Sequence, residues 1–291
     1  LINYNNFLVN TFFENRADDN KYKGEIMTAD RKIFDVHGHN GSWPDRINCD
    51  ELIFDVIKRE KISKLLISNL SGMETENHVE GGNPLIPELE ANRQTIKLCK
   101  ENEGVLYAAA VCQVGKSSPE TLEQALKEYK FTALKFHPFL IGIDANDKIY
   151  DPYLEIAEAN NLPCVFHSAP GTSDPMKIYM LAKRHPKVPV VLYHINLMGN
   201  CEFTIEMIAK AVAKKEANLY CDTAWCPMDV TVNALRSSIK NRVMFGSDLP
   251  IDGPDHFRYY RGIMQTIDDL MPNVADDYFY NTAARLFLGE E

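Results

Sequence analysis

The chain has 291 residues, 45% of them hydrophobic, and a formal net charge of -10. That length suits two ordinary domains or one (β/α)8 barrel of about 250 residues. The negative balance argues against a general affinity for nucleic acid or anionic membranes, and no apolar run approaches the roughly 20 residues of a membrane span. Residues 1–30 mix polar and aromatic side chains, begin with Leu1, and lack the basic start and apolar core of a signal peptide. They are expected to form an N-terminal extension, partly disordered or helical, with Met27 as a candidate natural start. A single domain is expected over residues 31–291.

In chain order, short apolar runs at Ile33–His37, Lys64–Asn69, Val105–Val111, Ala133–His137, Cys164–His167, Val188–His194, Asn218–Asp222 and Arg242–Ser247 read as buried parallel strands. Helix-like stretches alternate with them: Asp50–Arg59, Glu88–Glu101, Pro119–Tyr129, Tyr153–Asn160, Asp174–His185, Phe203–Lys214, Val230–Ile239 and Phe257–Leu270. A last amphipathic stretch, Val274–Leu288, is expected to pack as one extra helix. Eight strand–helix repeats predict a closed (β/α)8 TIM barrel, with its active site where the strands end. The Gly/Pro-rich segment from Leu70 to Pro87 reads as a lid or binding loop. Cys49, Cys99, Cys112, Cys164, Cys201, Cys221 and Cys226 show no paired spacing and read as reduced, mostly buried thiols of a cytoplasmic protein.

The strand ends carry the chemistry. His37 and His39 flank Gly38 on the first strand, so both imidazoles leave one face of it. Lys135 and His137 share a face on the fourth strand, His167 closes the fifth, His194 the sixth, and Asp248 the eighth. Imidazoles and a carboxylate converging on one mouth suit a divalent ion, with zinc expected first and manganese or iron(II) as alternatives. Such an ion lowers the pKa of its water from about 16 toward roughly 7 and polarises a carbonyl. Asp248 is placed to bind it and to manage the water's proton.

The order of His37-Gly38-His39, His167, His194 and Asp248-Leu249-Pro250, with the closing Asn281-Thr282-Ala283-Ala284-Arg285, resembles the amidohydrolase superfamily, in its metal-dependent "amidohydrolase-related" branch. The resemblance runs from Ile33 to the end. It implies that His37, His39, His167 and Asp248 bind the main metal. It implies too that His194 binds a second ion or acts as base or electrophile. Lys135, on a strand resembling the lysine strand of dihydroorotases, is then either carboxylated, bridging two ions, or an unmodified ammonium. His137 contacts substrate or caps the strand ahead of Pro138. Asp35 either orients a ligand histidine or pairs with Lys135 in the barrel.

Trp43, Arg46, Trp225 and Met198 are candidate substrate walls and an anion anchor, with packing as the plainer role. His78 reads as a solvated loop side chain, with a lid role as the alternative; His185 and His256 read as structural. The expected activity is hydrolysis of an amide, lactone or ester of a small molecule, with Asp248 and His194 catalytic. The rival is a non-oxidative decarboxylase or hydratase acting on an aromatic or unsaturated acid. A metal-free lactonase and an inactive scaffold are the remaining alternatives. A homodimer is the expected oligomer.

Overall fold

The computed structural model describes residues 31–44 and 46–290; the extension expected for residues 1–30 lies outside them. Eight strands pair in chain order, each parallel to its neighbour. They are β1 (Phe34–Asn40), β2 (Lys64–Asn69), β3 (Leu106–Val111), β4 (Ala133–Phe136), β5 (Cys164–His167), β6 (Pro189–Tyr193), β7 (Asn218–Asp222) and β8 (Val243–Met244). The principal helices between them are α1 (Cys49–Arg59), α2 (Glu88–Glu101), α3 (Pro119–Glu128), α4 (Asp151–Asn160), α5 (Pro175–Arg184), α6 (Cys201–Ala213) and α7 (Met228–Arg236), with α8 (Arg258–Leu270) following β8. The ring closes where Val36 N–H donates to Phe245 O, Leu249 N–H to His37 O and His39 N–H to Leu249 O. The fold is therefore the (β/α)8 barrel that the alternating pattern predicts.

Two apolar layers hold it. Phe34, Val36, Leu66, Ala133, Val165 and Val191 fill the barrel interior, and Ala283, Ala284 and Phe287 plug its lower end. The larger layer lies between strands and helices. The plug belongs to the final stretch, which is not one regular helix. It runs as α9 (Pro272–Asp276), a π turn over Asp277–Asn281 and α10 (Thr282–Leu288). The π turn widens the chain where Phe245 N–H must reach Tyr278 O.

Strand β1 carries a bulge. Asp35 pairs with Leu65 but Gly38 with Ile67, so two residues, Val36 and His37, stand opposite Leu66 alone. An extra residue flips the alternation beyond it. Phe34 and Val36 join the interior cluster below the bulge, and His37 and His39 take that side above it. Asp35 thus loses the parity with His37 that plain alternation predicts. Instead of pairing with Lys135, its carboxylate accepts from His37 N–H, Ser247 N–H and Ser247 Oγ.

The loop from Leu70 to Pro87 folds over the mouth. Gly81 N–H donates to Leu140 O at 3.0 Å, tying it to the short helix Pro138–Ile141. Gly142 follows that helix with φ +76°, and a Cβ there would lie 2.6 Å from the Cα of Gly81. No helix of the described residues is long and apolar enough to cross a membrane.

Candidate metal centre

His37 and His39 stand at the C-terminal end of β1, 1% and 4% exposed. Opposite them Asp248 follows β8 in the left-handed region, φ +66°. Its Oδ1 lies 3.1 Å from His37 Nε2 and 2.8 Å from His39 Nε2. Around a tetrahedral ion with bonds of roughly 2.0–2.1 Å, ligand atoms sit about 3.3 Å apart. Asp248 Oδ1 stands at close to that spacing from each imidazole, and the three ligand atoms all lie within 4.8 Å of one another.

The outer contacts fix which nitrogen faces inward. His37 Nδ1 lies 2.8 Å from Asp222 Oδ2, and His39 Nδ1 lies 3.3 Å from Ser68 O. With Nδ1–H donated outward, each Nε2 presents a lone pair to the mouth, the arrangement of metal-ligating histidines. Trp225 Nε1–H donates to Asp248 Oδ2 at 2.8 Å, leaving Oδ1 turned to the rings. His37 thus lies between two carboxylates, and a neutral ring has only one proton for them. A cation at Nε2 resolves that conflict, so the residues fit a divalent ion.

A second grouping, His37, His194 and Asp222, also clusters. There Asp222 is already saturated. It accepts from His37 Nδ1, from His194 N–H at 2.6 Å and from Ala224 N–H at 3.1 Å. It lies against Gly246, where a Cβ would come within 2.6 Å of Asp222 Oδ2. Asp222 therefore acts as the buttress of His37.

The other residues expected at the strand ends complete the mouth. Left-handed backbone at His194 (φ +68°) and Ile195 (φ +56°) brings the His194 ring beside His37, centroids 4.7 Å apart. Its Nδ1 lies 3.2 Å from Ala224 O, so Nε2 again carries the lone pair. His167 meets His194 edge-on at 4.9 Å and stacks on His137 at 4.0 Å. It does not join the two tight groupings. His137 Nδ1 accepts from Leu140 N–H at 3.4 Å, capping the short helix and leaving Nε2–H as a donor. The Lys135 ammonium sits 4.1 Å from the Tyr193 ring centroid. That ring also lies tilted against His37, centroids 3.7 Å apart, and its hydroxyl donates to Val36 O.

Electrostatics sort these groups. Burial pushes His39, His137 and His167 down and His194 to about 4, so they are neutral and ready to bind a cation. Burial also disfavours the His37 cation, but Asp248 and Asp222 together raise its pKa. Burial works against the Asp248 carboxylate, yet His37 and His39 hold it well below the usual range. Lys135 is pushed down by burial to about 8, although Asp248 and Asp222 favour its charge.

Above the mouth, His78 is not the solvated side chain expected. Glu74 Oε2 lies 2.7 Å from its Nδ1, and its ring stacks on Trp43 at 4.8 Å. Arg46 covers Trp43 as well, its guanidinium 3.9 Å from the ring centroid. His256 and His185 have the structural roles expected of them, the first bonded to Ser247 O at 2.7 Å and the second to Asp151 at 2.9 Å. Sequence reasoning missed Asp222 and the grip of Trp225 on Asp248. The available signal for Asp222 was a carboxylate closing an apolar strand run, as the histidines do.

The amidohydrolase family model matches residues 77–288. Solved structures share the fold. A putative amidohydrolase from Staphylococcus aureus is 12% identical, with TM-score 0.67, covering 88% of this chain and 99% of that one. A 5-carboxyvanillate decarboxylase from Novosphingobium aromaticivorans, complexed with manganese, is 10% identical, with TM-score 0.61 and coverage of 89% and 96%. A 4-oxalomesaconate hydratase from Rhodopseudomonas palustris is 17% identical, with TM-score 0.60 and coverage of 88% and 95%. No curated protein matches the chain in sequence.

Proposed function

The chain belongs to the amidohydrolase family, and on that premise we propose that it is a metal-dependent hydrolase of an amide, lactone or ester bond in a small molecule. The observation that carries this reading is the convergence of His37 Nε2, His39 Nε2 and Asp248 Oδ1, each oriented by an outward hydrogen bond. His37, His39 and Asp248 would hold one divalent ion, zinc, manganese or iron(II), with His167 as the further ligand that the family resemblance implies. When bound, the ion supplies Lewis acidity toward a carbonyl oxygen and lowers the pKa of water.

The remaining steps belong to side chains. Asp248, kept ionised by its imidazole neighbours, accepts the proton of the attacking water at Oδ1 and returns it to the leaving group. Trp225 keeps the other oxygen from rotating into that role. The Lys135 ammonium and the His137 Nε2–H are the donors available to a developing oxyanion. His194, with its proton committed to Ala224 O, offers a lone pair instead, and so serves as an acceptor. The cleft of about 340 Å³ bordered by His194, Met198, Trp225 and Tyr259 receives the rest of the substrate.

A second reading, non-oxidative decarboxylation or hydration of an aromatic or unsaturated acid, is favoured by the decarboxylase and hydratase among the structural neighbours. There Lys135 would bind the acid's carboxylate, and Asp248 would carry the proton to carbon. The test is metal content per chain by plasma mass spectrometry, on protein purified without chelator or an affinity metal. Turnover is then measured on ester, lactone and amide panels beside carbon dioxide release from benzoates. One ion and ester or amide cleavage support the hydrolase. One ion with carbon dioxide release alone moves the assignment to the lyase. A chain that takes up no metal on reconstitution overturns both.

A further inference from the structure

Two of the seven cysteines meet in the cleft beside the candidate metal centre. Cys201 is the first residue of α6, and Cys226 follows Trp225 after β7. Both line the cleft of about 340 Å³ together with His194 and Trp225. The Cys201 thiol donates to Asn196 O at 3.4 Å and the Cys226 thiol to His194 O at 3.2 Å. The two sulfurs thus bond to carbonyls two residues apart on one short turn, and each side chain lies close enough to shift the pKa of the other.

Their surroundings differ in the way a reactive pair requires. Cys201 is half-buried at the cleft and sits at the N-terminus of a thirteen-residue helix, where a thiolate is favoured. Independently of the helix, the nearby Cys226 side chain lowers its pKa, outweighing burial. Cys226 is 2% exposed and stays a thiol. By contrast, Cys112 and Cys164 interact deep in the apolar layer, 2% and 0% exposed, and neither lines this cleft.

We propose that Cys201 and Cys226 form a peroxide-responsive thiol pair that closes to a disulfide across the substrate cleft. The Cys201 thiolate attacks one oxygen of a hydroperoxide, the O–O bond breaks, and the departing alkoxide or hydroxide takes up a proton. The resulting Cys201 sulfenic acid is attacked by Cys226 sulfur. An S–S bond forms, the S–O bond breaks, and water leaves with the Cys226 proton. Two thiols are oxidised by two electrons and one hydroperoxide is reduced. A disulfide needs its sulfurs about 2.05 Å apart. Closing it draws the Trp225–Cys226 segment toward the start of α6. Trp225 holds Asp248 Oδ2, so the bond couples redox state to the carboxylate.

The experiment uses the reduced full chain and hydrogen peroxide as the probe. Intact mass should fall by about 2 Da, the two hydrogens lost in one disulfide. A non-reducing peptide map should join the peptides bearing residues 201 and 226, and dithiothreitol should restore the mass. Cys201→Ser and Cys226→Ser should each abolish the loss, whereas Cys99→Ser should not. In a Trp43→Phe background Trp225 is the sole tryptophan, and excitation at wavelengths beyond tyrosine absorption avoids the tyrosines. Its emission should change on oxidation, recover on reduction, and stay constant when Cys201→Ser is added. Addition of oxygen at Cys201 without loss of 2 Da, or a bond between other cysteines, overturns the pairing. A disulfide that leaves Trp225 emission unchanged overturns its coupling to Asp248. These readouts need neither metal nor substrate, so they stand apart from the hydrolase assignment.

Discussion

The mouth of the barrel has two unlike walls. On the β1, β7 and β8 side, every functional group is aimed by a directed hydrogen bond: His37 by Asp222, His39 by Ser68 and Asp248 by Trp225. On the β4 and β5 side, contact is mainly face to face. Lys135 lies over Tyr193, and His137 stacks on His167, with one 3.4 Å bond from Leu140 N–H. A hydrogen bond fixes the direction of a lone pair, whereas stacking fixes a plane and lets the ring slide within it. The first wall has the fixed lone pairs that a cation at one point would need. The second is free to adapt as a substrate changes shape along its reaction.

That division is open to attack from its strongest element downward. Asp248→Ala removes the group proposed as both carboxylate ligand and proton carrier. Turnover should fall by at least about 10³-fold, while circular dichroism and thermal unfolding stay close to wild type. Retained turnover would falsify the role given to the first wall. Lys135→Met keeps the side-chain length but removes the ammonium. It should lower kcat by about 10² with metal content unchanged; a chain that drops from two ions to one would instead make Lys135 a carboxylated bridge. Asp222→Asn keeps the acceptor for His194 and Ala224 N–H but sets an amide N–H against His37 Nδ1–H. Metal affinity should weaken about 10–100-fold, read by competition with a chelator, and kcat at saturating metal should hold within a few-fold. Unchanged affinity would show that directed bonding does not distinguish the walls.

How far the walls were legible in sequence follows from the same physics. Eight apolar runs gave the barrel because strands covered on both faces need continuous apolar sequence. The ionisable strand ends, His37, His39, Lys135, His167, His194 and Asp248, marked the mouth because it lies at the strand C-termini. Alternation misled where the backbone leaves regular strand geometry. The bulge at Val36–His37 turned Asp35 toward Ser247, away from Lys135. The left-handed residues His194 and Asp248 aim side chains that no period-2 rule places. Asp222 and Trp225 act through partners 185 and 23 residues away in sequence, a pairing only the closed barrel creates. His78 looked solvated because its partners, Glu74 and Trp43, meet it only once the loop folds over β1.

The smallest effect on turnover is expected from a carboxylate outside both walls, and it tests why the mouth's carboxylates stay charged. Asp248 and Asp222 are ionised because imidazoles lie against them. Glu88, at the start of α2, is 1% exposed and accepts from Gln113 N–H at 2.6 Å through Oε2, while Oε1 has no hydrogen-bond partner. Burial pushes its pKa up to about 7, against a usual 4.5. The folded protein therefore keeps a proton there that the unfolded chain releases above about pH 4.5. Stability falls as pH rises from that value to about 7, by up to about 3 kcal/mol. Glu88→Gln has no such proton. The difference in Tm, variant minus wild type, should rise by a few degrees between pH 5 and pH 8, with kcat unaffected at either. A difference that stays flat across that range would mean Glu88 is ionised in the folded chain. Imidazole neighbours would then not be what keeps a buried carboxylate of this barrel charged.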